Sequence, residues 1–171
     1  MYDEEMVAAF DESLKRHIAF VQEAGKHPLL DLPDELLAIH DESKYSPYEY
    51  AAYARWFFGD KQNHDEFAHA WLHHIHYNPH HWQYWIFSDG WELKGSKMVN
   101  GCLPMPTFYA REMIADWMGA SMAYTGSFDM TDWLHKNIAC IRLHPDTADY
   151  VREILDHMGY ADIVNVANFA T

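Results

Sequence analysis

The chain has 171 residues, of which 49% are hydrophobic and 16% aromatic, and this composition excludes an intrinsically disordered protein. Its length predicts a single domain, residues 1–171, with enough side chains to build a sizeable core. Asp and Glu total 26 against 12 Lys and Arg, so the net charge of −14 argues against a general binder of long nucleic acids.

The two cysteines, Cys102 and Cys140, lie far apart and outside any CxxC motif. Their placement argues against a cysteine zinc site or a disulfide scaffold, and it fits a reducing cytosol. The N-terminal stretch MYDEEMVAAF is acidic and lacks the basic and apolar regions of a secretory signal. No apolar run approaches the ~20 residues that span a bilayer. We therefore expect a cytoplasmic protein with no membrane partner, and the sequence leaves its oligomeric state open.

The first two predicted helices each carry a histidine on an apolar face. Within residues 4–25, apolar residues recur at spacings of three and four, which predicts an amphipathic helix that ends at Gly25 and includes His17. Residues 31–44 predict a second helix, because Pro33 suits a first helical turn. His40 shares a face of this helix with Leu36.

The next three predicted helices are marked by their capping and breaking residues. Ser46 is followed three residues later by Glu49, a capping-box pattern that predicts the start of a third helix ending near Gly59. A fourth helix is predicted to end at about Tyr77, because an Asn-Pro pair follows it. The same pair is predicted to cap a short fifth helix.

The C-terminal half of the chain completes a helical pattern. A loop rich in Gly, Pro and Lys precedes a sixth predicted helix over residues 107–124. Residues 129–141 and 144–160 predict two more helices, the last of them capped near His144. Because strand patterns are nearly absent, we predict an all-α, single-domain bundle of about seven or eight helices.

Histidine is unusually frequent and clustered in this chain. There are 13 histidines, and seven of them fall within 18 residues: His64, His69, His73, His74, His76, His80 and His81. Histidine is the commonest metal ligand among the side chains, so the clustering indicates a metal site. The alternative is a hydrated, histidine-rich helix edge.

Carboxylates in apolar surroundings extend this candidate site. Asp116 is flanked by Ile114, Ala115, Trp117 and Met118, and a carboxylate there is costly to bury unless it is paired or bound to metal. With only 12 Lys and Arg in the chain, a cationic partner is scarcer than usual. The candidate ligands are His17, His40, Asp41, His73 or His74, His80 or His81, and Asp116. Taken singly, His17 also suits a core position, and the His40–Asp41 pair a solvated helix end.

The order His, His-Asp, His, His, Asp along an all-helical chain resembles the HD-domain superfamily of metal-dependent phosphohydrolases. The resemblance implies that His17, His40, Asp41 and Asp116 bind one metal ion. It further implies that His74 and His81, with His73 and His80 as alternates, bind a second ion that shares Asp41. The motifs HDESK, HHIHYNPHHW and EMIADW, within residues 36–118, also resemble an uncharacterised family of small bacterial and phage proteins.

Two cationic residues lie close in sequence to the candidate ligands. Lys44 follows Asp41 by three residues, as in HD proteins with an HDxxK motif, and could contact a phosphate oxygen. Its alternative is a surface lysine near a helix C-terminus. Arg111 could contact a substrate anion, with Glu112 as an acceptor for a ligand, or the two could form a surface salt bridge.

These residues predict a metal-dependent phosphohydrolase that acts on a nucleotide or small phosphate ester or diester through metal-bound hydroxide. Asp41 is the predicted ligand and bridge, and Lys44 is predicted to hold the phosphate. The predicted cofactor is one or two divalent transition-metal ions, of Fe, Mn, Zn, Co or Ni. Two alternatives stay open: an HD-fold di-iron oxygenase acting on a small organic substrate, and a non-enzymatic, metal-stabilised binding protein.

Overall fold

The computed structural model describes residues 3–88, 90, 92–165 and 169. Within these residues the chain is helical, and extended pairing is limited to isolated β-bridges, among them those from Cys102 to Ile86 and Val99. The all-α prediction is therefore confirmed. No helix among the described residues combines the length and apolar character required to cross a bilayer.

The described residues form eight α-helices. They are α1 (Glu4–Ala24), α2 (Asp34–Ala38), α3 (Tyr50–Phe58), α4 (His64–Tyr77), α5 (Thr107–Thr125), α6 (Thr131–Asn137), α7 (Pro145–Leu155) and α8 (Ala161–Val164). Three 3-10 turns, at Glu42–Tyr45, Trp82–Trp85 and Ile138–Cys140, lie between them, and a π-turn at Asp156–Tyr160 joins α7 to α8.

Helix α1 contributes to two apolar clusters. The larger cluster gathers buried residues of α1, α5 and α7 and includes Val21. The smaller cluster joins α1 to α3 and α4 and includes Leu14. His17 lies between these two residues on α1, so the histidine predicted on the apolar stripe is placed where the two clusters meet.

Helices α1 and α5 approach closely because α5 has a glycine at the contact. A Cβ atom on Gly119 would lie 2.6 Å from Cγ2 of Val21 and 3.0 Å from the Val21 backbone nitrogen. One turn earlier on each helix, His17 Nε2 lies 3.0 Å from Oδ1 of Asp116. The small residue therefore sets the separation that brings these two polar side chains together.

Replacing Gly119 with Ala should destabilise the protein by up to about 2 kcal/mol, because overpacking costs about 1–3 kcal/mol and the gain in helix propensity returns about 1 kcal/mol. Urea unfolding measures the change. A double-mutant cycle is the control: Val21→Ala should cost less in the Gly119→Ala background, because the overlap with Cγ2 is removed. A more stable Gly119→Ala protein would show that the helices are free to separate.

The second predicted helix is shorter than its pattern suggested. Helix α2 ends at Ala38, so the prediction that His40 lies on a helical face is wrong. Asp41 adopts a left-handed backbone conformation, with φ 59° and ψ 15°. Aspartate tolerates this region better than most residues. The resulting turn precedes the 3-10 turn Glu42–Tyr45. The side chains of His40 and Asp41 are both buried in the protein.

The predicted capping box of the third helix is also wrong. Helix α3 begins at Tyr50, and the Glu49 side chain does not cap it but binds two histidines of α4. The hydroxyl of Ser46 has no hydrogen-bond partner among the described residues. A local pattern that fits a helix start is here overridden by tertiary contacts of the glutamate.

Later predictions hold in part. Helix α5 matches the predicted sixth helix, and His144 caps α7 by accepting a hydrogen bond from the Asp146 backbone at 3.1 Å. The predicted fifth helix is only the 3-10 turn Trp82–Trp85. Asn78 caps the end of α4 instead, because its amide donates to the His74 carbonyl at 2.9 Å.

Candidate metal centre

Histidines and carboxylates from five places in the chain converge around Asp41. His17 comes from α1, the His40–Asp41 pair from the turn after α2, and His74 from α4. The other members of the cluster are His80, His81 and Asp116, the first two from the turn after α4 and the last from α5. Ligands from separate elements that meet at one point are the arrangement that a metal ion requires.

The outer site comprises His17, His40, Asp41 and Asp116. His17 Nε2 lies 3.3 Å from Oδ2 of Asp41 and 3.0 Å from Oδ1 of Asp116. His40 Nε2 lies 3.7 Å from each of the same two oxygens. Two imidazole nitrogens and two carboxylate oxygens therefore face one another across a space of ionic size.

The inner site comprises Asp41, His74, His80 and His81. The potential ligand atoms of these four residues all lie within 4.8 Å of one another. His74 Nε2 is 3.3 Å and His80 Nε2 is 3.6 Å from Oδ1 of Asp41. Asp41 thus directs one carboxylate oxygen to each site.

Four buried atoms of the cluster have no hydrogen-bond partner among the described residues. They are Nε2 of His40, His80 and His81, and Oδ1 of Asp41. Burying a polar atom without a partner costs about 1–3 kcal/mol, and these four lie side by side. Cations at the outer and inner sites would satisfy them, so the buried histidines and carboxylates could hold a metal ion.

Glu112 contacts one histidine of each site through the Nδ1 atom of its ring. Its Oε1 lies 2.9 Å from Nδ1 of His40 and 3.3 Å from Nδ1 of His80. Burial disfavours the charged form of Glu112, but the hydrogen bonds from His40 and His80 outweigh burial and lower its pKa. An ionised carboxylate only accepts hydrogen bonds, so each ring donates from Nδ1, and Nε2 is the nitrogen directed toward the candidate metal sites.

Glu49 plays the same role on the other side of the inner site. It is fully buried, and its two oxygens lie 2.6 Å from Nδ1 of His73 and 2.8 Å from Nδ1 of His74. Burial opposes ionisation of Glu49, but the hydrogen bond from His74 outweighs it and lowers the pKa. The His74 ring is therefore fixed in orientation, with Nε2 directed toward Asp41.

His40 of the outer site and His74 of the inner site differ in charge. Burial disfavours the charged form of His40, but Asp41 and Asp116 outweigh burial and raise the pKa of His40 to about 10. Burial and the Lys44 ammonium lower the pKa of His74 below its ordinary value. His40 is thus a cation when no metal ion is bound. A metal ion that binds Nε2 of His40 would displace the proton from that nitrogen.

Lys44 lies at the edge of the cluster that faces solvent. Its Nζ is 2.5 Å from Oδ2 of Asp41. Burial disfavours the Lys44 ammonium, but the carboxylates of Asp41 and Asp116 outweigh burial and raise its pKa, so Lys44 is charged at neutral pH. The side chains of His17, Lys44 and Asp116 are 15–17% exposed, whereas that of His74 is 1% exposed. The cluster is therefore open to solvent beside the outer site.

The structure brings together most of the predicted ligands and separates two predicted residues from them. His73, an alternate ligand, binds Glu49 and stacks between Tyr48 and Tyr77, outside the cluster. Arg111 donates to the Leu30 backbone carbonyl at 2.7 Å rather than to a residue of the cluster, and the anion contact expected of it stays a prediction.

Sequence reasoning missed two features of the site. His80 and His81 both join the inner site, where the sequence predicted one of the pair. Proline at position 79 ends the helical register, so adjacent residues can face the same point. Glu49 was assigned to a capping box, and the only sequence signal for its real role is a carboxylate beside a histidine-rich helix.

No curated protein and no solved structure matches the chain. Residues 6–157 match a protein family described as "Family of unknown function (DUF5662)". That match includes all ligands of the outer and inner sites and nearly all of the described helices. The chain belongs to this family of unknown function.

Proposed function

We propose that the protein is a metal-dependent phosphohydrolase of HD-domain type that acts on a small phosphate ester, such as a nucleotide. The single observation that supports this reaction most directly is the position of Lys44. Its ammonium lies beside Asp41 at the solvent-facing edge of the cluster, where an anionic substrate would arrive. A cation next to a metal site is suited to binding phosphate oxygens.

The donor set defines the class of cofactor. Imidazole nitrogens and carboxylate oxygens, without thiolate, suit Zn, Fe, Mn, Co or Ni in the divalent state. Because each oxygen of Asp41 faces a different site, the residues fit two ions that share this carboxylate. The resemblance of the motifs to HD domains supports the same arrangement.

The residues of the site have separate roles in the proposed reaction. A bound divalent ion supplies a water of lowered pKa, at about 7 in favourable sites, and neutralises phosphoryl charge. Asp41 and Asp116 hold the cation, while Glu112 keeps His40 and His80 in their ligating orientation. Lys44 exchanges Asp41 for an oxygen of the substrate phosphate and so orients the ester.

The charge of the whole chain favours a small substrate. With a net charge of −14, the chain repels long phosphate backbones, whereas Lys44 and the cations of the site would attract a small phosphate locally. We therefore propose a nucleotide or other small phosphate ester as partner, and no long nucleic acid.

The test is a substrate screen with metal-loaded protein. Purified protein is loaded with Zn, Fe, Mn, Co or Ni and assayed for phosphate release from nucleotides and small phosphate esters, with and without dioxygen. We expect metal-dependent release that is the same in both gas phases. Turnover that requires iron and dioxygen would instead identify an oxygenase, and tight metal binding without turnover a metal-stabilised binding protein.

Replacing Lys44 with Met should lower kcat/KM for the phosphate substrate by about 10–100-fold, because a charge-assisted hydrogen bond contributes about 1.5–3 kcal/mol. Metal content should not fall, because Lys44 competes with the cation for Asp41. Lys15→Met, at an exposed position of α1, is the matched control. Unchanged kinetics in the Lys44 variant would remove the main support for a phosphate substrate.

A further inference from the structure

The outer and inner sites share Asp41 but differ in donors, burial and competition for the shared carboxylate. We infer that the inner site is a closed, four-donor site that retains one zinc-class ion, while the outer site holds a second ion that exchanges readily with solvent. This inference rests on the metal binding that the proposed function requires, and it does not depend on the proposed reaction.

The inner site has the donor number and spacing of a closed tetrahedral site. Three imidazoles and one carboxylate supply four protein donors, the number typical of structural zinc sites. With metal–ligand distances of about 2.0–2.1 Å, the ligand atoms of a tetrahedron lie about 3.3–3.4 Å apart. The distances of 3.3 and 3.6 Å from Asp41 Oδ1 to His74 and His80 are close to this spacing.

Burial separates the two sites further. The side chains of His74, His80 and Asp41 are 1–3% exposed, and Nε2 of His81 is also buried. The described residues that bury these ligands would also shield an ion held there from a chelator. The outer site includes the exposed edges of His17 and Asp116.

Competition for Asp41 affects only one of the two sites. Lys44 occupies the vicinity of Oδ2, the oxygen that faces the outer site. Oδ1, which faces the inner site, has no hydrogen-bond partner among the described residues. A cation must therefore displace an ammonium to enter the outer site, while nothing in the described structure competes for the inner one.

Two inner ligands are also held in place by carboxylates. Glu49 binds Nδ1 of His74, and Glu112 binds Nδ1 of His80. Such partners of ligating histidines raise metal affinity by about 10–100-fold. Of the two outer histidines, only His40 has such a partner, Glu112, whereas Nε2 of His17 lies against the carboxylates with which it would share the outer ion. The supporting contacts thus favour retention at the inner site.

The experiment measures metal content and needs no substrate. The full-length protein is saturated with Zn²⁺ or Co²⁺, desalted, and then dialysed against a chelator, with metal per chain measured by mass spectrometry at each step. We expect two equivalents after desalting and one after dialysis. With Co²⁺, the retained ion should give the visible absorption of four-coordinate cobalt.

Variants assign each ion to a site. His17→Ala should still retain one equivalent after dialysis and lose only the exchangeable one. His81→Ala should lose the retained equivalent, and His76→Ala, at an exposed position of α4, should behave as wild type. His17 is partly exposed, so its variant remains informative even where loss of His81 disturbs folding.

Three results would overturn the inference. They are binding of only one metal equivalent by the saturated protein, loss of both ions at the same rate, and loss of the retained ion from His17→Ala. The outcome is distinct from that of the substrate screen. One retained and one exchangeable ion without phosphate release would leave the inference standing and defeat the proposed reaction. Phosphate release with two equally exchangeable ions would do the reverse.

Discussion

Replacing Asp41 with Asn should remove metal from both sites and abolish phosphate release. Asp41 is the one ligand shared by the two sites, with Oδ2 near His17 and Oδ1 near His74. Loss of a supporting hydrogen bond alone lowers metal affinity by about 10–100-fold, so loss of this shared ligand should lower it by more than about 100-fold. Mass spectrometry of the purified variant gives the metal content, and the phosphate assay gives the activity.

Asp116→Asn is the matched control for this experiment. The ion pairs described for Asp116 are with His17 and His40 of the outer site, so its variant should keep the ion of the inner site. Circular dichroism establishes that both variants are folded, which matters because Asp41 is also the partner of Lys44. Full metal content in Asp41→Asn would show that the buried histidines bind metal without this carboxylate, or that the cluster binds it elsewhere.

Long amphipathic helices are the part of this fold that the sequence predicts well. The ranges 4–25 and 107–124 differ by one residue from α1 and α5. Both helices have apolar residues at helical spacing over several turns, and both end at a glycine. These two helices supply His17 and Asp116, so the sequence already contained the elements that position the outer site.

The short segments are less predictable, because their conformation depends on distant residues. His40 and Asp41 follow an apolar run, yet α2 ends before them and Asp41 takes a left-handed conformation. The Glu49 carboxylate gains more from two histidines 24 and 25 residues away than from a helix cap. Such contacts are set by the packing of α3 against α4, which no local pattern encodes.

Adjacent histidines pose a related difficulty. In a helix, neighbouring residues point about 100° apart, so one of a pair is usually a ligand and the other is not. This reasoning holds for His73 and His74, where only His74 faces Asp41. It fails for His80 and His81, which lie in a turn and both join the inner site. The helical period applies only as far as the helix itself extends.

Removing bound metal should lower the melting temperature by about 8–16 °C. At a free metal concentration 1,000 times the dissociation constant, binding stabilises the folded state by about 4.1 kcal/mol. For a chain of this length, each kcal/mol shifts the melting temperature by about 2–4 °C. The physical source is the set of buried, unpaired atoms around Asp41, which a cation satisfies. Calorimetry with Zn²⁺ and with excess chelator measures the shift.

Glu112→Gln tests how that stabilisation is built, because Glu112 is the acceptor for both His40 and His80. A Gln amide still accepts a hydrogen bond but carries no charge to hold the ring protons, so metal affinity should fall by about 10–100-fold at both sites. At a fixed metal concentration, a 100-fold loss of affinity corresponds to about 2.7 kcal/mol, which would remove about 5–11 °C of the metal-dependent shift.

Glu49→Gln should weaken the inner site alone, because Glu49 supports His74 and not His40. If Glu112→Gln keeps the full metal-dependent change in melting temperature, the metal is bound without the orientation that Glu112 imposes. If metal does not change the melting temperature of the wild-type protein, these buried histidines are stable with no cation at all.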